Sequence, residues 1–212
     1  MAAPNVSEFM LRRLREWGVT RIYGYPGDGT NGLNLAFHEV GDDVEFVQVR
    51  HEELAAFAAC GHAKLTGEVG VCMATSGPGA IHLLNGLYDA KLDHAPVVAI
   101  VGQQKRMSLG GDYQQEVDLR SLFKDVAHEF VAECVDARQA AHLIDRAVRI
   151  ARSERTVTAI IVPSDVQELP YEEPARVHGA LYAGKPGYHE PLVRPGDDDL
   201  RRAAEVLNAG SK

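Results

Sequence analysis

The spacing of apolar residues switches repeatedly between two periods along this chain. Over residues 7–17, Phe9, Met10, Leu14 and Trp17 fall on one face of a helix, and Gly18 ends it. Residues 21–25 read as a short strand. A second helix over 31–40 turns Leu33, Phe37 and Val40 inward, and 45–49 is the next strand. An alanine-rich helix over 52–66 is stopped by Gly67. A strand over 69–75, a helix over 80–92 and a strand over 96–101 follow. That last strand has almost no polar residue, as expected of a parallel strand covered on both faces. Beyond it, 117–123 reads as a short helix and 128–135 as a strand interrupted by Glu129 and Glu133. Residues 137–153 form a helix with Leu143, Ala147 and Ile150 on one face, and 156–162 a final buried strand. The alternation predicts an α/β fold: a doubly wound, six-stranded, mostly parallel sheet with helices on both faces.

The pattern changes after residue 169. Residues 170–196 hold Pro170, Pro174, Pro186, Pro191 and Pro195 with several glycines, which is linker chemistry. A helix over 197–209 then opens on Asp197, Asp198 and Asp199 and carries Leu200, Ala203, Ala204, Val206 and Leu207. Such a helix after a linker has nothing of its own to pack against. The expected organisation is therefore one domain over 1–169, a linker over 170–196, and the start of a second, truncated domain over 197–212 of a longer protein.

Charge narrows the function classes. With 22 Lys and Arg against 30 Asp and Glu, the net charge of −8 gives no general attraction to nucleic acid or anionic membrane. The longest apolar stretch, 95–102, is too short to cross a bilayer. The N-terminus lacks a basic start and an apolar signal core, so a cytoplasmic protein is expected. Cys60, Cys72 and Cys134 form no C-x-x-C pair, and each sits in an apolar element as a small buried hydrophobe.

The chemistry gathers in loops that follow strands, which places them at the carboxyl edge of the sheet. Gly27, Gly29 and Gly32 spell G-x-G-x-x-G between a strand and a helix, and Glu52 lies about 20 residues further on. This is one reading: an NAD(P)-binding Rossmann domain using those glycines and Glu52. Two features weigh against it. Pro26 directly precedes Gly27, and Arg50 and His51 stand where a ribose-binding acid would end the second strand. Glu52 itself reads either as an acid favoured by the helix dipole or as a carboxylate that reaches a ligand from between glycine-bearing loops. His51, His82 and His94 show no metal-ligand spacing, and no metal site is expected in this chain.

A second reading comes from an ordered set of motifs: RHEE at 50–53, TSGPG at 75–79, NGLYDA at 85–90, DHAPV at 93–97 and GQ at 102–103. In this order they resemble the N-terminal, pyrimidine-binding domain of thiamine-diphosphate enzymes, nearest the pyruvate oxidase and acetolactate synthase branches. The resemblance spans about residues 5–170. It implies that Glu52 holds N1′ of the cofactor's pyrimidine and so promotes loss of the C2 proton. Pro26, Gly27, Thr75, Gly77, Pro78 and Asn85 are expected around the pyrimidine, and Gln115 on the substrate side. Gln114 stands where the family has an aromatic residue, which leaves the second substrate open. The resemblance further implies a small 2-oxo acid substrate such as pyruvate, decarboxylated and then oxidised or ligated. Thiamine diphosphate and Mg2+ would be held partly by a further domain of another subunit, in a homodimer or homotetramer. FAD would belong to a middle domain. On this reading Gly27-Asp28-Gly29 is not the family's diphosphate-binding G-D-G, because it lies in the first turn.

Overall fold

The structure, a computed structural model, describes residues 3–175, 178–179 and 184–210. The parts of the expected linker at 176–177 and 180–183, and the end of the last helix region at 211–212, lie outside the described residues.

The first helix, α1 (Val6–Glu16), is capped by Asn5, whose side chain accepts from the Glu8 amide. It leads to β1 (Arg21–Gly24), α2 (Asn31–Val40) and β2 (Glu45–Gln48). Then come α3 (Glu52–Thr66), closed by Gly67 in the left-handed conformation, β3 (Gly70–Ala74) and α4 (Pro78–Leu92). The second half runs β4 (Val97–Gln103), α5 (Leu119–Phe123), β5 (Val131–Glu133), α6 (Ala140–Glu154), β6 (Val157–Pro163), α7 (Ser164–Gln167) and α8 (Asp197–Ala209).

The strands form one six-stranded sheet in the order β2-β1-β3-β4-β6-β5, and every pairing is parallel. β3, β4 and β6 are buried along their whole length. Their uninterrupted apolar runs nevertheless alternate between two cores. Val71, Met73, Val98, Ile100, Ile160 and Val162 face α1, α2 and α6. Cys72, Ala74, Ala99, Val101, Ala159 and Ile161 face α3, α4 and α5. The second face is richer in small residues because its helices come closer. A Cβ on Gly70 would stand 2.0 Å from the Ala59 carbonyl oxygen, and one on Gly86 2.5 Å from the Phe57 amide nitrogen.

The segment after β6 packs on this domain. Tyr171 stacks on Phe9 at 3.5 Å between ring centroids, Pro170 bridges to Asn5, and Arg152 sits over the Tyr188 ring. α8 holds no buried residue. No helix among the described residues is long and apolar enough to cross a membrane.

Strand order places the site. After β1 the chain moves outward to β2, then returns past β1 to β3 and moves the other way. The crevice between the carboxyl ends of β1 and β3 is thus a topological switch point, where open α/β sheets bind ligands.

Candidate active site

Three loops meet at this switch point. The β1–α2 loop brings Pro26 and Gly27, the β2–α3 connection brings His51 and Glu52, and the β3–α4 loop brings Thr75, Ser76 and Gly77. The first and third lie directly against each other. Thr75 Oγ1 accepts from the Gly29 amide at 2.8 Å, and a Cβ on Gly27 would meet the Thr75 side chain at 2.6 Å. Only glycine allows this approach.

The same packing overturns the phosphate-cradle reading of G-x-G-x-x-G. The Gly29 amide is spent on Thr75, and its carbonyl accepts from Gln167 Nε2 at 2.7 Å. Gln167 Oε1 accepts from the Leu33 amide in the first turn of α2, and its Cβ lies where a side chain on Gly32 would go. A buried glutamine from α7 thereby fills the helix N-terminus where a pyrophosphate would bind. Glu52 is the first residue of α3 rather than the last of β2, so it does not sit where a ribose acid would. The motif serves packing.

Glu52 is buried, with 11% of its side chain exposed. Its Oε2 lies 3.0 Å from His82 Nδ1 on α4. Its Oε1 has no hydrogen-bond partner among the described residues and lies against the first turn of α4, 3.1 Å from where a Cβ on Gly79 would stand. The chain thus holds a buried carboxyl at a helix N-terminus with one oxygen tied and one open. Gly79, lacking a side chain, leaves the space beside that open oxygen.

Gly77 has φ of +63°, and Gln115 packs against it so closely that a Cβ on Gly77 would stand 2.7 Å from the Gln115 carbonyl oxygen. Gln115 is itself in the left-handed region at φ +61°. The β4–α5 loop is braced onto the same site. Gln104 Nε2 donates to Ser76 Oγ at 3.0 Å, and Gln103 Nε2 to the Val117 carbonyl at 3.1 Å. Pro78 occupies the first position of α4, where its missing amide is harmless.

Of the residues singled out from the sequence, Gly27, Thr75, Gly77, Pro78, Glu52 and Gln115 are brought to these loops, with Pro26 on their exposed rim. Asn85 is not brought to Glu52. Its side chain donates to the carboxylate of Glu53 on the outer face.

Sequence spacing missed His82, Gln104 and Gln167. For His82 a signal existed: it follows Gly79 by three residues, so a helix places both on one face. The imidazoles of His51 and His82 stack with centroids 4.3 Å apart and 29° between planes. Together with Glu52 they offer ligand atoms within 4.8 Å of one another. Stacked rings direct their lone pairs side by side rather than toward a shared point; within the trio the hydrogen bond runs between Glu52 and His82, and His51 joins by stacking. His51 Nδ1 accepts from the Glu53 amide and caps α3.

Residues 4–122 match the family described as thiamine pyrophosphate enzyme, N-terminal TPP binding domain. The chain is 40% identical to the protein YdaP of Bacillus subtilis over its whole length. It is 36% identical to pyruvate oxidase of Lactiplantibacillus plantarum, over 96% of this chain and 33% of that protein. It is 39% identical to acetolactate synthase isozyme 2 large subunit of Escherichia coli, over 77% of this chain and 29% of that one. It spans about a third of the length of these relatives. The match runs from α1 through α5 and includes every loop of the site. This chain belongs to the thiamine pyrophosphate enzymes and contains their N-terminal TPP-binding domain.

Proposed function

We propose that this chain is the pyrimidine-binding part of a thiamine-diphosphate-dependent enzyme that decarboxylates a small 2-oxo acid such as pyruvate, and then oxidises or ligates the product. The observation that carries this reading is Glu52: a buried carboxyl with Oε1 open beside Gly79, at the switch point of a parallel sheet. A pyrimidine ring is flat, apolar on its faces and basic at N1′. A glycine-walled crevice with a single carboxyl at its back suits it. The cofactor, when bound, supplies an acidic C2–H and the electron sink of its thiazolium ring.

The roles of this chain's own residues follow from their places. Glu52 Oε1 would meet N1′ and hold a proton there. Pro26, Gly27, Thr75, Gly77 and Pro78 would wall the ring, while Asn85 stays with Glu53 on the outer face. Gln115, fixed by its contact with Gly77, would face the substrate. Gln114 beside it stands where the family has an aromatic residue, which leaves the second substrate open. These residues offer nothing for a diphosphate, because the α2 N-terminus is filled by Gln167. The diphosphate and Mg2+ are therefore assigned to another domain, from a second subunit, and FAD to a middle domain beginning near 197. This reading takes the enzyme to be a cytoplasmic homo-oligomer. The relatives' names support the reaction class: one is a pyruvate oxidase and another an acetolactate synthase.

The test is exchange of the thiamine C2 proton in deuterated buffer, by acid quench and NMR, in the full-length enzyme. It needs no knowledge of the substrate. Glu52→Gln should keep the fold and slow exchange by a factor of about 10² to 10⁴. Equal rates in the two proteins would overturn the role of Glu52 even if overall turnover fell.

A further inference from the structure

The hydrogen bond between Glu52 and His82 joins two helices at the one carboxyl of the site. It is the only hydrogen bond of the Glu52 side chain among the described residues. A carboxyl this buried needs such a partner. The two oxygens of Glu52 are thereby made unequal: Oε2 is engaged and Oε1 is open.

Resting on the reading of Glu52 as the partner of pyrimidine N1′, we propose that His82 is a positioning residue that directs the Glu52 proton. With Nδ1–H donating to Oε2, that oxygen is favoured as the carbonyl oxygen of the acid, because a hydroxyl oxygen is the weaker acceptor. The carboxyl proton then sits on Oε1, the oxygen that faces the crevice. His82 also fixes the torsion of the carboxyl, so that Oε1 stays aimed past Gly79. The stacked His51 ring holds the His82 imidazole in plane. The rigid α3–α4 contact, where Gly86 brings the backbones together, sets the distance. His82 touches neither cofactor nor substrate in this scheme; it acts through Glu52. The sequence pattern behind the device is short: a glutamate opening one helix, and G-x-x-H at the start of the next.

The proposal is tested with His82→Leu and His82→Asn in the full-length enzyme. An Asn amide nitrogen occupies the place of Nδ1 and can donate to the same oxygen; Leu cannot. Two readouts are needed. The first is the crystal structure of each variant without cofactor. The Glu52 carboxyl should hold its place in His82→Asn and swing away in His82→Leu. The second is C2 proton exchange at saturating thiamine diphosphate. His82→Leu should slow it roughly 10- to 100-fold, the range for losing one hydrogen bond to a charged group, with cofactor affinity little changed. His82→Asn should recover most of that loss. In a Glu52→Gln background, His82→Leu should add almost nothing, because the two act as a unit. If His82→Leu melts at a lower temperature, His82→Gln replaces it, since its amide reaches where Nε2 lies instead. An unmoved Glu52 in His82→Leu, wild-type exchange in that variant, or His82→Asn as slow as His82→Leu would each overturn the proposal. Slow exchange in Glu52→Gln with normal exchange in His82→Leu removes this proposal and leaves the role of Glu52 standing. Normal exchange in Glu52→Gln removes both.

Discussion

Glu52 and Glu53 are neighbours in one helical turn, yet the fold gives them different work. Glu52 points into the crevice and is buried, while Glu53 turns outward to Asn85. Successive helix positions differ by about 100°, which is enough to separate them. Glu53→Gln should therefore leave C2 exchange within a small factor of wild type, because a dipole-complementing acid is worth only about 0.3–1 kcal/mol. A Glu53 variant as impaired as Glu52→Gln would mean that the turn as a whole, not one carboxyl, matters. The cysteines give a second residue-scale prediction. Burial pushes the Cys60 thiol up to about 11, helped by its hydrogen bond to Asp89, and burial pushes Cys72 and Cys134 up to about 12. At pH 8 none of the three is a thiolate in the folded chain. A thiol reagent should label them only after denaturation, and prompt labelling of the native protein would contradict their packing. At this scale the burial of the cysteines was legible in the sequence, and so was the place of Glu52 at the start of α3. For His82 the spacing from Gly79 gives the face of α4 but not the partner, because a contact between two helices depends on how they pack.

At the scale of elements, legibility followed local chemistry. The bounds of α2 and α3 could be read to the residue, because Gly41 and Gly67 stop them in conformations that other residues resist. β5 was read too long. Only Val131–Glu133 forms the strand, since an edge strand pairs on one side and flanking residues need not follow it. The 3-10 turn at Asp28–Thr30 and the short α7 were not foreseen; pieces of three or four residues carry no period. α7 matters most, since its Gln167 closes the glycine loop. Gln167→Leu should strand the Gly29 and Val162 carbonyls and the Leu33 amide in the interior. The expected cost is about 1–3 kcal/mol for an unsatisfied buried group, seen as a lower Tm. The native protein should give no saturable heat on titration with NAD or NADP. Micromolar binding abolished by Gly29→Val would restore the dinucleotide reading. Gly86→Ala tests the close pair α3–α4. A methyl at 2.5 Å from the Phe57 amide nitrogen forces the helices apart, at about 1–3 kcal/mol for overpacking.

At the scale of the whole molecule, the two faces of the sheet are finished differently. α1, α2 and α6 bury their large residues in one core and leave Leu35 as their large exposed hydrophobic side chain among the described residues. α3 and α4 expose Leu54, Phe57, Leu65, Ile81, Tyr88 and Leu92. Of the apolar residues that the sequence offers on these helices, Phe57, Leu65 and Tyr88 are exposed, while Leu83 and Leu87 are fully buried against the sheet. The exposed set lies on the same two helices that hold Glu52 and His82. On the proposed function, covering this face and completing the site are one event. A second copy of the chain is the natural cover, because closed homo-oligomers bury the same patch on both partners. The full-length enzyme should sediment as a dimer or a multiple of one. Phe57→Glu together with Ile81→Glu should shift it toward monomer, since both substitutions place charge in a face that must lose water. The folded sheet should survive, because neither side chain reaches the core, and circular dichroism should match wild type. Cofactor binding should weaken in step with dissociation and return at high protein concentration. A variant that is monomeric yet binds thiamine diphosphate as tightly as wild type would show that the site is complete in one subunit.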